Sequence, residues 1–290
     1  MSQTAPSDGN ALRTRPEEAA LTPGSAKSLL LTILGELVWP TNRPARTGAL
    51  LHVMKGLGLE EQTARQAIAR GAAAGWLRAE RRGREVSWHL TESAKRIFEE
   101  GSRRVTSMVR TFDDWDGTWL IVLVSIPNSH RSARKRLYTG LTWAGFGNPA
   151  PGVWLSPHPE RRQEVASLIG QLDLIAHTMS FRGRVSDIGL DEKRIVASGW
   201  DLDAISQHYA QILAALADAH PAPGDDMLFT HIRMISEWQR FPFSDPHLPE
   251  QLLPDWIGRQ AAQRIRDLRA QWLIPVRDRW AEVNADGEEP

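Results

Sequence analysis

Residues 60–90 read EEQTARQAIARGAAAGWLRAERRGREVSWHL, and this stretch decides how the N-terminal part folds. Ala64, Ala67 and Ile68 recur at helical spacing, so a helix is expected from about Glu60 to Ala74, ending at Gly75. Trp76–Glu80 and Glu85–Leu90 then read as two short strands joined by Arg81-Arg82-Gly83-Arg84, with Gly83 marking the turn. A helix of about 10–12 Å diameter fits the major groove of DNA. This one presents Gln62, Thr63, Gln66 and Arg70, with Arg65 near the same face, and these side-chain types read base edges or phosphates. Arg81, Arg82 and Arg84 at the hairpin tip suit phosphate or minor-groove contact. The bland alternative is a helical module with a solvated basic hairpin that binds a protein.

Upstream, Leu29, Leu30, Ile33, Leu34 and Leu37 give a helix over 25–38, stopped by Pro40 and Pro44. A second helix begins at Thr47, carries Leu50, Leu51, Val53 and Met54, and ends near Gly56 and Gly58. Helix, turn, helix and basic hairpin together predict a winged helix-turn-helix over 25–110. Residues 1–24 are rich in Ser, Thr, Pro, Gly and Asn and are expected to be disordered.

The middle, 111–199, alternates strand and helix. Thr118–Ser125 is a strand of buried type, 129–143 a basic helix and Gly152–Ser156 a strand. Arg161–Ile169 is a helix, Ile175–Phe181 a strand, and Ile195–Ala197 is taken as a fourth strand. The order predicts a ferredoxin-like α/β sandwich within an overall α+β class. From 200 to 284 the pattern is helical, interrupted by prolines between Pro242 and Pro254, and 285–290 reads as a tail.

The formal net charge of the 290 residues is zero, but its distribution is uneven. Lys27 to Arg110 holds 15 Lys and Arg against 8 Asp and Glu, a net of +7, whereas Pro221 to Pro290 is −4. One basic module on an acidic remainder points to a polyanionic partner for that module alone. Cysteine is absent, which excludes disulfides, Cys-based zinc sites and a thiol nucleophile. No apolar run approaches the roughly 18 residues of a membrane span, and residues 1–22 lack a secretory pattern, so a cytoplasmic location without membrane contact is expected.

Carriers of catalysis are not visible. Asp113, Asp114 and Asp116 precede a strand without a matching His or Glu cluster and read as a solvated turn. His208, His220, His231 and His247 show no metal-ligand spacing. No nucleophile elbow, P-loop or Rossmann glycine pattern occurs, and no cofactor is expected. Arg131, Arg134, Lys135 and Arg136 form a second basic group, read either as a phosphate site or as an exposed helix face. Trp143, Trp154, Trp200 and Trp238 supply flat apolar surface for a core or an aromatic pocket.

Four stretches together resemble the PaaX-like regulators, the repressors of phenylacetic-acid degradation. They are 28–36, 75–91, the group 115–119, 145–147 and 151–154, and the group 200–202, 245–246, 248–249 and 252–254. The resemblance implies three parts: a winged helix, a ferredoxin-like domain similar to a small CRISPR-associated nuclease, and a helical C-terminal domain. It implies a homodimer on a palindromic double-stranded operator, repressing an aromatic-catabolic operon and released by an aryl-acetyl coenzyme A thioester such as phenylacetyl-CoA. The expected effector contacts are Arg131, Arg134, Arg136 and Arg240 for the phosphates, and Trp143, Trp154 and Trp238 for the acyl end. Two positions depart from the family pattern. Gly71 stands where a large apolar residue is usual, and Ser236-Glu237-Trp238-Gln239-Arg240 replaces a His-Glu-Tyr-Arg-Arg-like stretch.

Two rival classes remain. A metal-dependent nuclease needs carboxylates at strand ends, but the first central strand closes with Ser125-Ile126-Pro127. An acyl-CoA-handling enzyme needs an acid/base or nucleophilic constellation, and none is apparent.

Overall fold

The computed structural model describes residues 24–83, 85–107, 115–127, 130–239 and 241–285. Residues 1–23 of the tail expected over 1–24, Arg84, Asp113, Asp114, Arg240 and residues 286–290 lie outside these.

Helix α1, Ala26–Ile33, starts at Ser25, whose Oγ accepts the Ser28 N–H at 3.2 Å. It continues into a π-helical turn, Leu34–Val38. The two-residue strand β1, Ala45–Arg46, leads into α2, Thr47–Gly56, and α3, Glu61–Ala73, follows after a turn at Gly58 with φ +92°. Strands β2, Leu77–Arg82, and β3, Glu85–Leu90, pair antiparallel, with Arg82 opposite Glu85 across a two-residue turn and Gly83 at φ +60°. β1 adds to β3, giving a three-stranded sheet in the order β1-β3-β2. Helix α4, Glu92–Ser107, follows.

The second sheet is built from β4, Trp119–Val124, β5, Gly147–Ala150, β6, Val153–Ser156, and β7, Thr178–Gly183. Its order is β5-β6-β4-β7 and its pairs are antiparallel. Helix α5, Ala133–Trp143, lies between β4 and β5, and α6, Arg162–Gln171, between β6 and β7. Leu120, Val122 and Trp154 on one face pack with Leu137, Leu141, Val165 and Ile169 of these helices. The other face carries Trp119 and Leu155, covered by Ile195, Val196, Leu248 and Leu252.

Ile195–Ala197 is not a strand. It lies in α7, Glu192–Gly199, where Asp191 accepts the Arg194 N–H at 2.8 Å. Three consecutive apolar residues carry no period of their own, and the Asp191 cap with Glu192 in the first turn decides the outcome. The sheet's fourth strand is instead β5, in a Gly-Asn-Pro-Ala stretch of poor strand propensity.

The remaining helices are α8, Leu202–Ala217, α9, Asp225–Trp238, α10, Phe241–Ser244, and α11, Ile257–Ala285. Their apolar faces do not form a separate core. Leu228, Ile232, Ile265, Trp272 and Val276 belong to the same buried cluster as Leu30, Ile33, Leu50, Met54 and Ile68. Among the described residues no helix is long and apolar enough to cross a membrane.

Candidate nucleic-acid interface

On α3 the inward side holds Ala64, Ala67, Ile68 and Gly71, all buried. Gly71 does not loosen this helix. A Cβ there would stand 3.2 Å from Leu30 Cδ2, so the missing side chain lets α3 lie close against α1. The outward side holds Gln62, Gln66 and Arg70, four residues apart and exposed, with Thr63 half-buried beside them. Arg65 is exposed but engaged: its Nε and Nη2 donate to Glu61 Oε1 at 3.0 and 2.8 Å. Lys55 Nζ reaches the other oxygen of Glu61 at 3.4 Å. Hydrogen bonds from Arg65 and then Lys55, with their charges, hold the Glu61 carboxyl below the usual carboxylate range.

The hairpin is fixed to α2 by one hydroxyl. Trp88 Nε1 donates to Thr47 Oγ1 at 2.9 Å, and Thr47 Oγ1 donates to Val86 O at 3.0 Å. Arg81 is exposed near the tip; the Arg82 backbone is strand, while its side chain and Arg84 lie outside the described residues. The structure thus brings the α3 stripe and the hairpin onto one small module, resting on the same core.

That module is clamped from behind by the C-terminal helices. The π-helical turn carries Glu36, which accepts Arg269 Nε at 3.0 Å and Nη2 at 3.1 Å, with His231 Nε2 at 3.1 Å. His231 is fully buried and Glu36 nearly so. Burial pushes the Glu36 carboxyl up, but the His231 hydrogen bond and the Arg269 charge outweigh it and hold the group below its ordinary value. Farther along α11, Asn284 Oδ1 accepts the Arg46 N–H at 2.8 Å and Asn284 Nδ2 donates to Pro44 O at 3.0 Å. Phe229 of α9 fills the space beside Gly56, where a Cβ would lie 2.1 Å from its ring. None of Glu36, Arg269 and Asn284 was singled out by the sequence reading. A lone Glu within the apolar run 29–38 was the available signal for the first.

The residues expected to contact an effector are dispersed. Arg131, Arg134 and Arg136 are exposed, and Arg134 and Arg136 stand about 200° apart around α5. Trp143 is half-buried at the end of that helix. Trp154 is buried in the central-sheet core, edge-on to Tyr138 at 4.9 Å. Trp238 belongs to the other core, against Phe241 at 5.6 Å. Ser236 and Gln239, where the family pattern changes, face α1: their side chains approach Ser28 Oγ at 3.5 Å and Thr32 Oγ1 at 3.0 Å. Asp116 is exposed and accepts the Thr118 N–H at 2.8 Å. Among the described residues no group of three His, Asp or Glu could hold a metal ion.

Comparison with known proteins accounts for most of this chain. Residues 25–94 match the family profile described as PaaX-like protein, 113–196 the PaaX protein central Cas2-like domain, and 200–281 the PaaX-like protein C-terminal domain. The transcriptional repressor PaaX of Escherichia coli (strain K12) is 27% identical over 256 residues, covering 83% of this chain and 78% of that protein. Among solved structures, an uncharacterized protein, Rv0674, from Mycobacterium tuberculosis superposes with a TM-score of 0.64 at 22% identity. It covers 89% of this chain, and the match spans 99% of that one. Because the three profiles follow one another in order from α1 into the last turns of α11, this protein belongs to the PaaX-like family.

Proposed function

We propose that this protein is a DNA-binding transcriptional repressor whose reading head is α3 with the β2–β3 hairpin. In this reading residues 25–110 are a winged helix-turn-helix, 111–199 a ferredoxin-like domain and 200–284 a helical domain. The α1-β1-α2-α3-β2-β3 order supports the first, and the sheet order β5-β6-β4-β7 with its two helices supports the second. The observation that carries the proposal is the exposed stripe Gln62, Gln66 and Arg70, set on a rigid core beside a basic hairpin. The E. coli relative is a transcriptional repressor, which agrees with this reading and gives no support to a nuclease. One recognition helix reads too few base pairs for specificity, so the protein acts as a homodimer on a palindromic operator.

The effector is an aryl-acetyl-CoA-type thioester, its phosphates drawing on Arg131 and Arg240 with either Arg134 or Arg136, which stand on opposite sides of α5, and its acyl end beside Trp143. Trp154 and Trp238 lie in two different cores and join only if those cores open. The ligand releases DNA through its unequal affinity for two arrangements of the dimer.

The test is a salt-controlled gel shift on the DNA upstream of the protein's own gene, with and without phenylacetyl-CoA, free phenylacetate and unacylated CoA. A sequence-specific shift without cleavage in the presence of divalent metal, relieved by the thioester alone, is expected. Absence of any specific shift overturns the DNA-binding reading; a shift that no thioester relieves overturns only the effector.

A further inference from the structure

Five of the six exposed large apolar side chains among the described residues fall in one short stretch: Ile175, Met179, Phe181, Ile188 and Leu190. Their centre is β7, which pairs with β4 on one side and, among the described residues, with no strand on the other. Unpaired edges in monomers are normally guarded by Pro, Lys or a bulge. β7 has no Pro, Lys or bulge, and its one charged residue is Arg182 near the end: its sequence is Thr-Met-Ser-Phe-Arg-Gly, and its register to β4 is unbroken from Thr178 to Gly183. Met179 lies opposite Leu123 and Phe181 opposite Ile121, so the four side chains share one sheet face.

The same register shows what the open edge offers. The Ser125 N–H donates to His177 O, across the pairing that places Val124 opposite Thr178. Backbone groups alternate sides along a strand. Residues 177, 179, 181 and 183 therefore turn theirs toward β4, and Thr178, Ser180 and Arg182 turn theirs outward.

We propose that two copies of this chain pair through antiparallel β7 strands about a two-fold axis at Ser180, joining their four-stranded sheets into one of eight strands. This rests on the homodimer reading above and gives it an interface. With Ser180 opposite its own copy, Thr178 faces Arg182 of the other chain, and each outward backbone group of the strand meets a partner. Shifting the axis by one residue leaves part of the strand unmatched. Met179 of each copy then lies across from Phe181 of the other, on the apolar face.

No pair of like charges is opposed. Full burial of a large apolar side chain is worth about 1.5–3 kcal/mol at about 25 cal/mol per Å², so the exposed fractions of Met179 and Phe181, which share the paired face, amount to on the order of 100 Å² of apolar area per copy. A standard interface takes about 800 Å² per partner, a little over half of it apolar, so the paired backbones with Met179 and Phe181 form its centre and the segments flanking β7 supply the remainder.

The natural sequence has no cysteine, which makes the register directly testable. Opposed residues in an antiparallel hydrogen-bonded pair have Cα atoms about 5.5 Å apart, inside the range of about 4.4–6.8 Å that a disulfide spans. The full-length Ser180→Cys variant should oxidise to a covalent dimer, whereas Ser198→Cys on α7 should not. Met179→Asp/Phe181→Asp should sediment as a monomer with unchanged circular dichroism, while Ile274→Asp, also exposed, should stay dimeric. Loss of the dimer should weaken palindromic operator binding about 100-fold or more and spare binding to a half-site. A monomeric wild type overturns the proposal, as does a dimer that survives the double Asp variant or a Ser180→Cys dimer that does not cross-link. Failure of the wild type to bind DNA would refute the repressor reading and leave these association results standing.

Discussion

The α1–α3 module and the central sheet dispose of their surfaces in opposite ways. The module is held on its rear by three anchors: Arg269 and His231 on Glu36, Asn284 on the segment 44–46, and Phe229 against Gly56. The α3 stripe and the hairpin tip are left exposed. The sheet is covered on both faces near its centre yet leaves β7 bare. A helix that must present side chains in a fixed geometry gains from a stiff mount. A strand that recruits another strand needs its backbone free.

The largest expected effect comes from removing the charge that holds the clamp. Glu36→Ala leaves the buried His231 without its acceptor and frees Arg269, whose side chain is 42% exposed and can turn to water, so the cost is about 1–3 kcal/mol rather than that of a fully buried pair. Urea denaturation of the full chain measures it; a loss well below about 1 kcal/mol would mean that His231 finds another partner and that the clamp is soft. The same group sets an acid limb. Its folded-state pKa is depressed, so its contribution is present above the unfolded value of about 4.3 and fades as pH falls through the lower folded value. Glu36→Gln should flatten the stability profile below about pH 4 and leave its slope above pH 6 as it was.

Next in size is Gly56→Ala. The added methyl meets the Phe229 ring, and overpacking of this kind costs about 1–3 kcal/mol. Pairing it with Phe229→Leu should recover most of the loss in thermal unfolding. Additive losses would show that the ring is not what fills the space. On the outward side, Gln66→Ala should leave stability unchanged, weaken operator binding by about 1–3 kcal/mol and relax one base position. Arg81→Ala should weaken all sequences alike and lower the salt slope by about one. Reversed behaviour of these two variants would exchange the roles of helix and hairpin. The smallest effect is expected for Glu61→Gln: the pair with Arg65 is exposed, and no change in unfolding midpoint should be measurable.

The outward face of α3 was legible in the sequence because helix periodicity separates Ala64, Ala67 and Ile68 from Gln62, Gln66 and Arg70 without any tertiary information. The hairpin was legible for a similar local reason, a Gly at the turn between two short runs. Legibility failed where partners are distant or propensity is weak. Glu36 meets residues 195 and 233 positions away, and no local pattern announces that. β5 is written in residues that disfavour strands and exists because β6 pairs with it. The tryptophans were visible as apolar mass, but their division among three buried clusters depends on which helix covers which surface.

The π-helical turn at Leu34–Val38 has a consequence for comparing relatives. Such a turn absorbs one extra residue without ending the helix. Each residue advances the side-chain direction by about 100°. A relative shorter by one residue here would therefore carry its acidic side chain toward a different neighbour, even if every flanking letter were the same. An alignment that scores the gap as trivial would hide the change. Counting residues between Leu30 and Glu36 becomes a ruler for whether the ionic cluster can form at all, and a single-residue deletion within 34–38 would read that ruler directly.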